Sequence, residues 1–252
     1  PIDKLVSNRA APLLGRIPIP GDKSISHRSL IFGSLAIGTT KVRGLLEGTD
    51  VMSTKDALVA LGVEINRDND GLWHIVGVGL NGMISPAAPL DLGNSGTGVR
   101  LLMGVVAGQK ITATFCGDAS LSSRPMARIT NPLAKMGAKI TSRDGGLLPV
   151  TIRGTKSLMA ANHCSKIASA QIKSAILLAG LNARGTTIVS EPSASRDHTE
   201  SMLRHFGASI SQEVAEDKSH VVKLADGASL RAAEVTVPSD PSSAAFAIVA
   251  AL

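Results

Sequence analysis

Three segments of this chain end alike: "ALVALGVEI" (57–65), "PLAKMGAKI" (132–140) and "MLRHFGASI" (202–210). Each reads as the last turns of an amphipathic helix, a glycine cap and the start of a strand. Gly62, Gly137 and Gly207 take the left-handed position that ends a helix without a Cβ penalty. They lie 75 and 70 residues apart. Upstream of each runs a second shared pattern: a polar cluster, an apolar helix, a glycine and a Thr-containing strand. It reads "SHRSLIFGSLAIGTTKV" (26–42), "GVRLLMGVVAGQKITATF" (98–115) and "IKSAILLAGLNARGTTIV" (172–189). A unit of two helices and a few short strands cannot bury its own apolar faces, so the copies must stack on one another.

The repeats fix an expected organisation. Residues 21–238 form one α/β domain of three units. The segment "VPSDPSSAAFAIVAAL" (237–252) resembles the opening "IPGDKSISHRSLIFGSLA" (19–36) and reads as the start of a fourth unit. Residues 1–20 and 239–252 are therefore expected to belong to a neighbouring domain, as if the three-unit domain were inserted into it.

Composition narrows the function classes. Aromatic residues make up 2% of the chain, with no Tyr, so the core must be aliphatic and a base-stacking platform for single-stranded nucleic acid is not available. The net charge of +6 favours an anionic ligand. Cys116 and Cys164 are the only cysteines, too few for a disulfide framework, and a reducing cytosol is the expected compartment. No paired His and Cys spacing suits a metal. No apolar run is long enough to span a bilayer, and the N-terminus does not read as a signal peptide.

The chemistry-bearing residues gather where helices begin. The openings are "GDKSISHR" (21–28), "LGNSGTGVR" (92–100), "IASAQIKS" (167–174), "SSRPMAR" (122–128) and "SRDHTE" (195–200). Each offers a capping side chain, and Pro125 suits a first helical turn. A helix N-terminus presents unpaired N–H groups and partial positive charge, which together favour anions. If the units are arranged symmetrically, several openings face one place. Lys23, Arg28, Arg100, Arg124, Lys173 and Arg196 are then candidates for one cationic pocket. The plainer readings are capping alone, solvated Arg100 and Lys173 within helical runs, and His27 and His198 as structural donors. "GDKS" is not a nucleotide P-loop, because Asp22 separates Gly21 from Lys23 and Ile17 stands where a further glycine is required.

Together "PGDKSISHR", "LGNSGTG", "GDASLSSRPM", "ASAQIKSAILLAGL" and "SRDHTE" resemble the motifs of the 5-enolpyruvylshikimate-3-phosphate (EPSP) synthase family, in its order and over nearly the whole chain. The resemblance implies an inside-out, barrel-like α/β domain of three βαβαββ repeats, followed by the truncated start of a second similar domain. It implies transfer of the carboxyvinyl group of phosphoenolpyruvate to shikimate 3-phosphate in aromatic amino-acid biosynthesis, without a cofactor or metal. Lys23, Ser24, Arg28, Ser169, Ala170, Gln171 and Arg196 would bind shikimate 3-phosphate. Lys23, Asn94, Gly96, Arg124 and Gln171 would bind phosphoenolpyruvate. Gly96 further implies sensitivity to glyphosate, which a methyl group there would crowd.

The same resemblance puts the main proton-transfer carboxylates in the second domain. Asp22, Asp118 and Asp197 read as capping or supporting residues, and the chain alone is expected to lack turnover. The expected partners are anionic small molecules and the second domain, with neither nucleic acid nor membrane, in a cytoplasmic protein that is monomeric when full-length. Two alternatives stand beside this. One is a non-catalytic anion-binding domain. The other is an enolpyruvyl transferase acting on UDP-N-acetylglucosamine, which normally carries a reactive Cys before its "RP" motif. Here no Cys lies between Gly117 and Arg124, and Cys116 is expected in a strand.

Overall fold

The computed structural model describes residues 14–251, so residues 1–13 of the proposed leading segment lie outside it. The first unit comprises α1 (Lys23–Leu35), β1 (Ile37–Arg43), α2 (Thr49–Ala60), β2 (Glu64–Arg67) and β3 (Trp73–Val78). The second comprises β4 (Leu90–Asp91), α3 (Gly96–Ala107), β5 (Thr112–Cys116), α4 (Ala119–Ser122), α5 (Ala127–Lys135), β6 (Lys139–Arg143) and β7 (Leu147–Arg153). The third comprises β8 (Asn162–Cys164), α6 (Ala170–Gly180), β9 (Thr187–Glu191), α7 (His198–His205), β10 (Ile210–Val214) and β11 (His220–Leu224). Two elements follow, β12 (Glu234–Thr236) and α8 (Pro241–Ala251).

Each unit builds one four-stranded sheet with the same topology. The orders are β12-β1-β3-β2, β4-β5-β7-β6 and β8-β9-β11-β10. In every sheet the first pair is parallel and the rest antiparallel. The first unit takes its leading strand from the far end of the chain, since Val235 of β12 pairs with Val42 of β1. Residues 20–22 and 238–240 also run side by side, with the Asp22 N–H bonded to the Pro238 carbonyl and the Asp240 N–H to the Pro20 carbonyl, both at 2.8 Å. The opening "GDKS" is thus held from both ends of the domain.

Burial follows the sequence pattern. α3 and α6 are apolar almost all round, as a helix enclosed on every side is expected to be, while α1 is enclosed with Ser26, His27, Arg28 and Ser29 among its buried residues. Ten of the twelve residues of α3 and nine of the eleven of α6 are buried. α2, α5 and α7 bury one stripe each, as in Val51, Thr54, Ala57 and Leu58 of α2. Three of the four Phe residues, Phe32, Phe115 and Phe206, are fully buried, and Phe32 meets Phe206 across the first and third units with ring centroids 5.8 Å apart. The three repeat glycines adopt the expected left-handed backbone, with φ of 94°, 115° and 94° at Gly62, Gly137 and Gly207.

α3 and α6 touch backbone to backbone. A Cβ on Gly104 would sit 2.2 Å from the Ala175 carbonyl oxygen, and a helix backbone cannot yield locally. Gly104→Ala should therefore destabilise the domain by about 1–3 kcal/mol, despite its better helix propensity, and chemical denaturation measures this directly.

Two local expectations differ from the structure. Pro125 does not open a helix: α4 ends at Ser122, and α5 begins at Ala127 with Met126 as an uncapped N-cap. Asp197 precedes α7 without a capping bond, and instead accepts the Ser201 hydroxyl at 3.3 Å. In α8, no described side chain is buried; Phe246 is 83% exposed, with Ile248 and Val249 beside it.

Candidate functional site

The inner helices begin at one end of the domain. Gln171 in the first turn of α6 donates through Nε2 to Thr97 Oγ1 in the first turn of α3 at 3.0 Å. Arg28 spans from α1 to α6 and α7. Its Nε donates to Thr199 Oγ1 at 2.7 Å, its Nη2 to Ser174 Oγ at 2.8 Å, and its Nη1 to the Ser24 carbonyl at 3.0 Å. Ser174 in turn donates to the Ala170 carbonyl at 2.5 Å. The caps follow the sequence: Asp22 accepts from Ile25 N, Ser95 from Gly98 N, Ser169 from Ile172 N and Asp118 from Leu121 N.

Around the opening of α3 the sequence candidates interlock. Arg124 donates through Nη2 to Asn94 Oδ1 at 2.5 Å and to Ser120 Oγ at 3.1 Å. Asn94 Nδ2 donates to Asp118 Oδ2 at 2.7 Å. Arg100 Nη1 donates to the Gly96 carbonyl at 3.0 Å and to Gln171 Oε1 at 3.1 Å. A Cβ on Gly96 would lie 2.8 Å from Arg100 Nη1 and 3.1 Å from Arg124 Nη1, so both guanidinium groups stand over this turn. Burial, then the charges of Arg124 and Arg128, hold the Arg100 guanidinium below its ordinary value. Three cations therefore crowd one helix opening. A cavity of about 320 Å³ adjoins them, lined by Arg100, Arg128, Ser169, Gln171, Pro125 and the apolar pair Ile129 and Ile172.

Lys23 stands at the opening of α1, half exposed, and pairs with Asp50 of α2. Arg196 is exposed in the loop before α7 and its charge is felt by Arg28. Arg28 is 3% exposed, and burial lowers it to about 10, so it remains a cation near neutral pH. His27 is also buried. Its Nδ1 lies 2.9 Å from Thr54 Oγ1, and burial followed by the charge of Lys23 pushes the imidazole down to about 3. The ring is a neutral structural group, as is expected of a buried histidine beside cations.

One candidate reading is overturned. Lys173 is neither solvated nor part of a surface cationic pocket. It is 4% exposed, with its Nζ 3.1 Å from Glu191 Oε2 and 2.7 Å from Glu200 Oε1. Burial is the reason, because an unpaired ammonium there would be untenable. Arg128, Thr97, Asp50, Thr199 and Glu191 were not singled out from the sequence. Arg128 had a signal, since it closes the helix opening "SSRPMAR" four residues after Arg124. The others needed the tertiary pairing. Among the described residues no three His, Cys, Asp or Glu side chains are grouped to hold a metal ion, and no helix is long and apolar enough to cross a membrane.

Known proteins resemble this chain in sequence and fold. The family model described as EPSP synthase (3-phosphoshikimate 1-carboxyvinyltransferase) matches residues 8–252. The 3-phosphoshikimate 1-carboxyvinyltransferase of Novosphingobium aromaticivorans is 56% identical over 241 residues, covering 96% of this chain and 55% of that protein. That of Methylorubrum populi is 55% identical over 251 residues, covering 98% of this chain and 55% of that protein. The solved structure of EPSP synthase from Acinetobacter baumannii superimposes with a TM-score of 0.85 at 47% identity, covering 93% of this chain and 52% of that one. The chain spans about half the length of the curated relatives it matches. On fold, motif order and identity alike, the chain belongs to the EPSP synthase (3-phosphoshikimate 1-carboxyvinyltransferase) family.

Proposed function

We propose that this chain supplies one face of the substrate site of a transferase that moves the carboxyvinyl group of phosphoenolpyruvate onto shikimate 3-phosphate and releases phosphate. The observation that carries this reading is the crowding of Arg100, Arg124 and Arg128 at the opening of α3, beside the openings of α1 and α6. Mutual repulsion among cations is offset when a multiply charged anion enters between them, and forked guanidinium donors suit phosphate and carboxylate. In this reading Asn94, Gly96, Arg124 and Gln171 hold phosphoenolpyruvate. Ser24, Arg28, Ser169, Ala170, Gln171 and Arg196 hold shikimate 3-phosphate, and Lys23 reaches both.

Addition of a hydroxyl to the vinyl carbon, followed by loss of phosphate, needs a base and an acid in register. The nearby carboxylates are committed elsewhere. Asp22 and Asp118 cap helices and Asp50 pairs with Lys23. In line with the family resemblance, the proton transfers are assigned to groups of a second domain, with which this chain acts as one domain, residues 21–238, of a monomeric cytoplasmic enzyme. Gly96 carries no methyl group to crowd glyphosate, so, as the resemblance implies, the complete protein is expected to be inhibited by it.

Cys116 favours this acceptor over UDP-N-acetylglucosamine. It ends β5, its Sγ faces the Leu90 carbonyl at 3.6 Å, and burial followed by the charge of Asp91 pushes its thiol up, away from a reactive thiolate. Calorimetric titration of the complete encoded protein with shikimate 3-phosphate, at low and high salt, tests the reading. Saturable binding that weakens with salt and falls about tenfold or more in Lys23→Ala is expected. A folded protein that shows no saturable binding contradicts it.

A further inference from the structure

We propose that Glu191 is a positioning residue, whose buried carboxylate ties the first turn of α6 to the loop before α7 and so sets the spacing of the groups that receive shikimate 3-phosphate. The inference rests on the functional reading above. Glu191 is the last residue of β9 and is 2% exposed. Its Oε1 accepts the Ser169 backbone N–H at 2.6 Å. Its Oε2 accepts the Ser195 hydroxyl at 2.6 Å and lies 3.1 Å from the Lys173 ammonium. Ser169 is the N-cap of α6, and Ser195 immediately precedes Arg196.

The loop has little else to hold it. Among the described residues, Ser195 is the only side chain of residues 192–196 with a hydrogen-bond partner, and Asp197 makes no capping bond to α7. The tie also requires a carboxylate. Three donors converge on two oxygens: a backbone N–H, a hydroxyl and an ammonium. A glutamine would turn an NH₂ group towards one of those donors, leaving two donors face to face in a buried place.

Glu200 provides an internal control. It meets the same Lys173 at 2.7 Å and is equally buried, at 1% exposure, but makes no bond to Ser169 or Ser195. Loss of either carboxylate disturbs the same ion cluster, and only loss of Glu191 releases the loop.

The test measures KM for both substrates in the complete encoded protein and its Glu191→Gln and Glu200→Gln variants, each first shown to be folded by thermal unfolding. Glu191→Gln is expected to raise KM for shikimate 3-phosphate about tenfold and to raise KM for phosphoenolpyruvate by less, since Gln171, the α6 group shared by both substrates, is also held by Thr97 and Arg100. Glu200→Gln is expected to leave both within about twofold. Equal effects of the two variants, or a Glu191→Gln variant that behaves like the parent, overturn the proposal. If Glu191→Gln does not fold, Ser195→Ala cuts the same tie from its outer end, and an unchanged KM for shikimate 3-phosphate overturns the proposal. A parent that does not use shikimate 3-phosphate overturns both this inference and the functional reading. A normal parent with an unaffected Glu191→Gln variant overturns this inference alone.

Discussion

Lys173→Met should destabilise the fold by about 3–5 kcal/mol, because it removes the cation from a buried ion cluster and leaves its carboxylates in place. Methionine keeps most of the stem volume, so packing changes little and the loss is electrostatic. Glu191 and Glu200 lie 3.1 and 2.7 Å from the lost ammonium, at 2% and 1% exposure. Neither can reach water without local opening.

The deficit should depend on pH in a defined direction. Burial holds the Glu200 carboxyl above its ordinary value, with Lys173 opposing that rise. Without Lys173 it rises further. A carboxyl that is raised in the folded state binds its proton more tightly than in the unfolded chain. Stability then falls as pH climbs from the ordinary carboxylate range through the raised value. The gap in melting temperature between parent and Lys173→Met should be widest at neutral pH and above, and narrow as the solution is acidified towards about pH 5. Thermal unfolding across a pH series measures it, and a gap that does not vary with pH contradicts the electrostatic account.

Arg124→Ala is expected to do the reverse, sparing the fold and removing the ligand. Arg124 is half-buried, and its partners Asn94 and Ser120 lie at the surface. Loss of such contacts costs about 1 kcal/mol or less. Part of that is offset, since Arg124 is one of the charges that repel Arg100. Affinity for phosphoenolpyruvate should nevertheless fall by about 2–3 kcal/mol, roughly 30- to 150-fold, as a forked, charge-assisted contact to the anion disappears. Titration with phosphoenolpyruvate in the presence of shikimate 3-phosphate, paired with a melting curve, separates the two effects. Normal affinity in a normally folded variant would remove Arg124 from the site.

The repeat was legible because its signals are local. A left-handed glycine after an amphipathic helix leaves the same trace three times, and Gly62, Gly137 and Gly207 carry it. The caps Asp22 and Asp118 were legible for the same reason, since a cap lies within four residues of the N–H it accepts, whereas Asp197 makes no such bond. Lys173 was not. It sits in "AQIKSAILLAG", where neighbouring residues give no hint of a counter-ion, and its partners come 18 and 27 residues later on other elements. β12 was hidden in the same way: a three-residue strand that completes a sheet begun near residue 37 has no local signature of its partner. The sequence thus marked the residues at the helix openings, the buried Arg28 among them, but not the carboxylates Glu191 and Glu200 that pair with the buried Lys173.

Phosphate release from phosphoenolpyruvate, measured in the complete encoded protein with and without acceptor, tests the central claim most directly. The account predicts release that requires shikimate 3-phosphate, is not supported by UDP-N-acetylglucosamine, and is lost in Arg124→Ala. Release with UDP-N-acetylglucosamine instead, or no release with either acceptor in a folded protein that binds phosphoenolpyruvate, would contradict it.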